Sequence, residues 1–168
     1  GRNMRTLRLI GATALLLLAH FAQAQVVGEV EYSRGAGFAQ TDGKLPRTLG
    51  KGLPLSEGDR ITTADGATAI VKLQDGTRMT VRPNSQIVIQ QFKFQESSPK
   101  HSSMVMQLIQ GGFRAITGLI SKGSPSSARV ITNTATIGIR GTDFDARLCT
   151  TDCKAESAKV AEKPRQHS

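Results

Sequence analysis

Few residues of this chain have the type and spacing to make or break bonds. Beyond residue 24 the histidines are His101, in a serine-rich stretch, and His167, near the C-terminal end. Neither sits where a general base is held rigidly. Ser97-Ser98-Pro99-Lys100 has the spacing of a Ser-x-x-Lys acyl-transfer motif, but that motif opens a helix and works with partner motifs, and neither is present. Asp143-Phe144-Asp145 puts two carboxylates on one side of a strand. Calcium takes roughly six to eight oxygen ligands, so solvated or salt-bridged carboxylates are the simpler reading. Gly35-Ala36-Gly37 begins like a dinucleotide fingerprint but lacks its third glycine and the following helix, and reads as a loop. Cys149 and Cys153 are the two cysteines; in an oxidising compartment they would form a disulfide closing a small loop. Free thiols, or half of a zinc site, are the alternatives. These residues call for no catalytic apparatus, metal or cofactor, and an enzyme is not expected.

The elements that must carry these residues are short strands. Ala69, Val71 and Leu73 point one way and Lys72 and Gln74 the other, Asp75-Gly76 turns the chain, and Met79 and Val81 resume the alternation. Asp65-Gly66, Asp75-Gly76 and Pro83-Asn84 follow one another at nearly equal steps, marking tight corners between strands of five to eight residues. Ile87 and Ile89 begin a further strand that Phe92 and Phe94 continue. Residues 96–103 read as an exposed loop, Met104 to Phe113 returns to strand character, and Gly111-Gly112 marks a bend or bulge. A second loop spans Lys122 to Ser127, and Val130 to Ala146 holds the last strands. The fold class is therefore all-β, with most phenylalanines in the core.

The N-terminal stretch has another character. Arg5 and Arg8 precede an apolar run from Leu9 to Phe21 that ends in Ala22-Gln23-Ala24. This reads as a secretory signal peptide over residues 1–24, cut between Ala24 and Gln25, with Gly1 to Asn3 an upstream extension. The run is shorter than the roughly 20 residues of a membrane-spanning helix, so no stable span is expected after cleavage, and the location is the periplasm or the exterior. One β domain over residues 25–148 is expected, then a Cys pair and an unstructured, solvated tail over residues 149–168. The whole chain carries +9; cleavage removes Arg2, Arg5 and Arg8, leaving 19 basic against 13 acidic residues, or about +6. The cations are scattered singly, and one Tyr, no Trp and few Phe give no evident stacking platform. Export and this composition argue against nucleic acid.

Thr136-Ile137-Gly138-Ile139-Arg140-Gly141-Thr142 is the most distinctive segment, two glycines bracketing an arginine within an apolar strand. Arg140 is expected to be partly buried and paired with Asp59 or Asp143. This segment lies in the last, Thr132 through Phe144, of four ordered blocks that resemble the FecR domain. The others are Leu55 to Thr63, with Gly58 and Asp59; Leu73 to Thr77, with Asp75 and Gly76; and Leu108 to Arg114, with Gly111. The resemblance spans about residues 30–146 and implies a β-solenoid-like fold of stacked short strands; the bare alternation suits a β-sandwich equally. It also implies that Gly58, Asp59, Asp75, Gly76, Gly111, Gly138, Arg140, Gly141 and Thr142 are structural residues. Founding members of the family resemble sigma regulators with a cytoplasmic segment and a membrane helix, which this sequence replaces with an export signal. The expected function is a non-catalytic extracytoplasmic module for protein interaction or envelope signalling. The alternative is a binding module for cell-wall glycan or another anionic polymer.

Overall fold

The computed structural model of the chain describes residues 25–98, 101–123 and 126–148. Two β-sheets enclose one core, and the chain passes repeatedly between them. β1 (Val26–Arg34) lies in the first sheet, and β2 (Gly37–Gln40) and β3 (Arg47–Thr48) in the second. β4 (Pro54–Ser56) returns to the first, and β5 (Arg60–Thr63) goes to the second. β6 (Thr68–Leu73) and β7 (Arg78–Val81) form a hairpin in the first, and β8 (Gln86–Lys93) and β9 (Ser103–Gln110) one in the second. β10 (Gly112–Ile116) crosses back, a single helical turn α1 (Leu119–Gly123) follows, β11 (Ala128–Ile131) and β12 (Thr136–Gly138) enter the second sheet, and β13 (Asp143–Arg147) ends in the first.

The six-stranded sheet has the order β13-β10-β7-β6-β1-β4 and the seven-stranded sheet β12-β11-β9-β8-β5-β2-β3. Among the described residues the pairings are antiparallel, except that β11 runs parallel to β9. Parallel neighbours cannot be joined by a tight turn, and here β10 and α1 supply the connection.

The predicted turns are present, each at a residue able to take positive φ: Gly66 (71°), Gly76 (91°) and Asn84 (53°). Ala69, Val71 and Leu73 are buried as their spacing requires, with Lys72 and Gln74 exposed. The first sheet contributes Val30, Leu55, Val71, Met79, Val81 and Phe113 to the core, and the second Ile61, Ile87, Ile89, Met106, Leu108 and Val130. Ile120 from α1 and Ile139 from the β12–β13 connection are buried in the same cluster.

Two expectations are corrected locally. β8 ends at Lys93, so Phe94 lies just past the strand and only partly buried, and the start of the expected 122–127 loop belongs to the helical turn. Phe92 and Phe113 are core residues, Phe144 packs against the core, but Phe38 is 39% exposed on the outside of β2.

Candidate interaction surface

The residues that carry the sequence resemblance fall at four places, three of them tight corners between strands. At the β4–β5 corner Gly58 takes φ 91°, and the Asp59 amide donates to the Ser56 carbonyl at 3.1 Å. This folds the Asp59 carboxylate inward, where it is fully buried and accepts from the Ser56 amide at 2.8 Å, the Arg47 guanidinium at 2.6 Å and the Thr41 hydroxyl at 2.5 Å. Arg47 also donates to the Pro54 carbonyl at 2.8 Å. A buried carboxylate is tolerable only when paired and hydrogen-bonded, and this one is met by three donors that tie β3, β4 and β5 together. Nothing in the sequence spacing singled out Arg47 or Thr41.

At the β6–β7 corner the buried Asp75 accepts from the Thr77 amide at 3.0 Å and the Thr77 hydroxyl at 2.8 Å. Its carboxylate also accepts from the Ile120 amide at 3.2 Å and its carbonyl from the Leu119 amide at 3.0 Å, while Thr77 Oγ1 accepts from Gly118 at 3.1 Å. The turn therefore seats α1. Gly111 has φ 70°, and a Cβ there would lie 2.2 Å from the Ser85 hydroxyl oxygen, so the β9–β10 corner admits no side chain. Ser85, buried and not anticipated from sequence, accepts from the Gly112 amide at 2.9 Å and donates to the Gly112 carbonyl at 3.1 Å.

The fourth block departs from expectation. Arg140 is exposed, not partly buried, and the two proposed partners are committed elsewhere, Asp59 to Arg47 and Asp143 to Arg114. The neighbouring backbone does the structural work: Gly141 has φ 83°, its carbonyl accepts from the Thr117 hydroxyl at 2.6 Å, and the Thr142 carbonyl accepts from the Thr117 amide at 2.9 Å. Ile139 is the buried residue of the segment, and Gly138 and Thr142 are exposed.

The side chains of chemically capable type are dispersed. His101 and Ser97 are exposed on the β8–β9 connection, and Lys100 lies outside the described residues. Asp143 and Asp145 do share one side of β13, but each is taken up by an arginine. Cys149, Cys153, Ala24 and His167 also lie outside the described residues, and Gln25 is exposed where the described chain begins. Gln25 borders an open depression of 720 Å³ whose lining includes Val27, Glu57, Phe92, Lys93 and Phe94. Glu57 there accepts from the Phe92 amide at 3.0 Å.

The outward face of the six-stranded sheet is the most developed surface. Strand register aligns Tyr32, Ile70, Thr80, Arg114 and Asp145 in one row and Glu29, Lys72, Arg78, Ile116 and Asp143 in the next. Tyr32 is 48% and Ile116 49% exposed. Three ion pairs cross the strands: Arg78 with Glu31 at 2.8 Å, Arg82 with Asp145 at 2.5 Å, and Arg114 with Asp143 through a two-pronged contact. The hydrogen bond to Asp143, and then its charge, push the Arg114 guanidinium further up in pKa, so it stays a cation. Such exposed pairs add little stability. They do tie the arginines to the same outward face that carries Tyr32 and Ile116.

A family model described as FecR protein matches residues 59–161. No curated protein matches the chain, and no solved structure does. The matched stretch opens at the buried Asp59 carboxylate, takes in the Asp75 turn, the Gly111 corner and the Thr136–Phe144 segment, and covers more than half of the sequence; the chain belongs to the FecR protein family.

Proposed function

We propose that this chain is a non-catalytic module, working outside the cytoplasm in the periplasm or after secretion, that binds another envelope protein through the outward face of its six-stranded sheet. Its family is a regulatory and signalling one associated with the envelope. Among the described residues no helix is long and apolar enough to cross a membrane. The observation that carries the reading is the composition of that face. Exposed Tyr32 and Ile116 sit among Arg78, Arg82 and Arg114, which acidic neighbours on the same face already neutralise. Tyrosine and arginine are enriched where proteins meet, and a face that mixes aromatic, branched, cationic and anionic side chains suits a protein partner better than a polyanion. The family-motif residues serve as scaffold in this reading, and the two layers with mainly antiparallel pairing favour a sandwich over stacked coils.

Photo-crosslinking tests the proposal. A benzoylphenylalanine at position 32 or 116 should capture one discrete envelope protein, and the product should persist at high salt. The same group at Val88, on the opposite sheet, should not. Capture from position 88 alone, or none from any position, would reject this face.

A further inference from the structure

The two sheets differ in charge. β1 carries Glu29 and Glu31 and β13 carries Asp143 and Asp145, whereas the seven strands of the second sheet contain no aspartate or glutamate. Between Glu96 and Asp143 the sequence has no acidic residue at all. Register fixes what this sheet shows to solvent. Gln40, Arg60, Val88, Gln107, Ile131 and Thr136 run in one row across six strands, their neighbours Ala39, Ile61, Ile87, Met106 and Val130 being buried. Arg129 lies on the same outward side, two residues from Ile131 along β11. Arg60 and Arg129 are exposed, and among the described residues neither has an ion pair.

We propose that this face, whose strands carry no acidic residue, binds an acidic polysaccharide, a chain of hydroxyl-bearing sugars with carboxylates at intervals. The inference is independent of the protein-binding face. Its warrant is charge complementarity together with the chemistry of the neutral residues. The amides of Gln86 and Gln107 each offer donors and an acceptor, and the hydroxyls of Thr62 and Thr136 do both; these are the groups that pair with sugar hydroxyls. Three strand steps and two residues separate Arg60 from Arg129, about 16 Å at ordinary strand spacing. Cations so set can each meet a separate carboxylate of one extended chain lying across the strands. Single-stranded nucleic acid would ask for stacking rings, and Phe38 is the one aromatic of these strands exposed beyond a third.

The test is binding of purified protein to polygalacturonate, with neutral dextran and a single-stranded DNA oligonucleotide alongside. Polygalacturonate should bind, weaken with salt, and bind roughly tenfold less tightly to Arg60→Glu/Arg129→Glu, as two lost surface ion pairs would give. The control Arg34→Glu/Lys72→Glu makes the same change in net charge on the opposite sheet and should retain binding. Equal loss in both variants would reduce the effect to net charge and overturn the proposal. Failure of the unsubstituted protein to bind polygalacturonate would overturn it too, as would tighter binding of the oligonucleotide. If charge reversal unfolds the protein, Arg60→Gln/Arg129→Gln, verified by an unchanged melting temperature, should still show a loss of about threefold.

Discussion

Asp59 gathers local stability at one point, because three donors from three segments converge on a carboxylate with no access to water. Removing one side of a buried pair strands the other. Asp59→Ala should therefore cost about 3 kcal/mol of unfolding free energy by urea denaturation, and Arg47→Met a comparable amount, since it leaves the fully buried carboxylate without its cation. In the Asp59→Ala background most of the cost of Arg47→Met should vanish, giving a coupling of about 1–2 kcal/mol; simple additivity would contradict the pairing. Arg140 shows the opposite case. The sequence placed a guanidinium between glycines and suggested burial, but the glycines serve the backbone crossing and the side chain is left outside. Local sequence carries no signal for which acidic residue an arginine will meet, because Arg47 and Asp59 come together through sheet register and not through a spacing.

At the level of elements, corners were the most legible feature. Asp-Gly and Pro-Asn pairs act within a few residues, so Asp65-Gly66, Asp75-Gly76 and Pro83-Asn84 could be placed without knowing the fold. The helical turn could not, since its five residues include Gly123 and have no apolar period. It exists because the Asp75–Thr77 turn satisfies the amides of Gly118, Leu119 and Ile120. Asp75→Ala should thus raise amide hydrogen exchange across Leu119–Gly123 well above that of β6 and β7, with an overall loss of about 2 kcal/mol from unsatisfied buried donors. Uniform acceleration along the chain would mean that the turn supports the whole core and not this element in particular.

For the molecule as a whole, alternation announced an all-β domain but could not assign strands to sheets, since an inward side chain looks the same whichever layer it belongs to. Neighbours in space are often distant in sequence: β1 pairs with β6, β5 with β8, β7 with β10, and β9 with β11. Such pairings must close long loops before they are rewarded, which slows folding. Stopped-flow refolding should accordingly show a main phase in the range of milliseconds to seconds; a microsecond main phase would imply a more local nucleus than this topology offers.

The chain changes sheet eight times between β1 and β13, so the two layers are laced along their edges as well as pressed together. Layers joined only by burial can slide apart once water enters the seam. Layers sewn by this many crossings must be unthreaded strand by strand. If a polymer grips one layer and a protein the other, a pull between them reaches the lacing as tension shared over many strands, and the domain would serve as a tough mechanical link as readily as a docking platform.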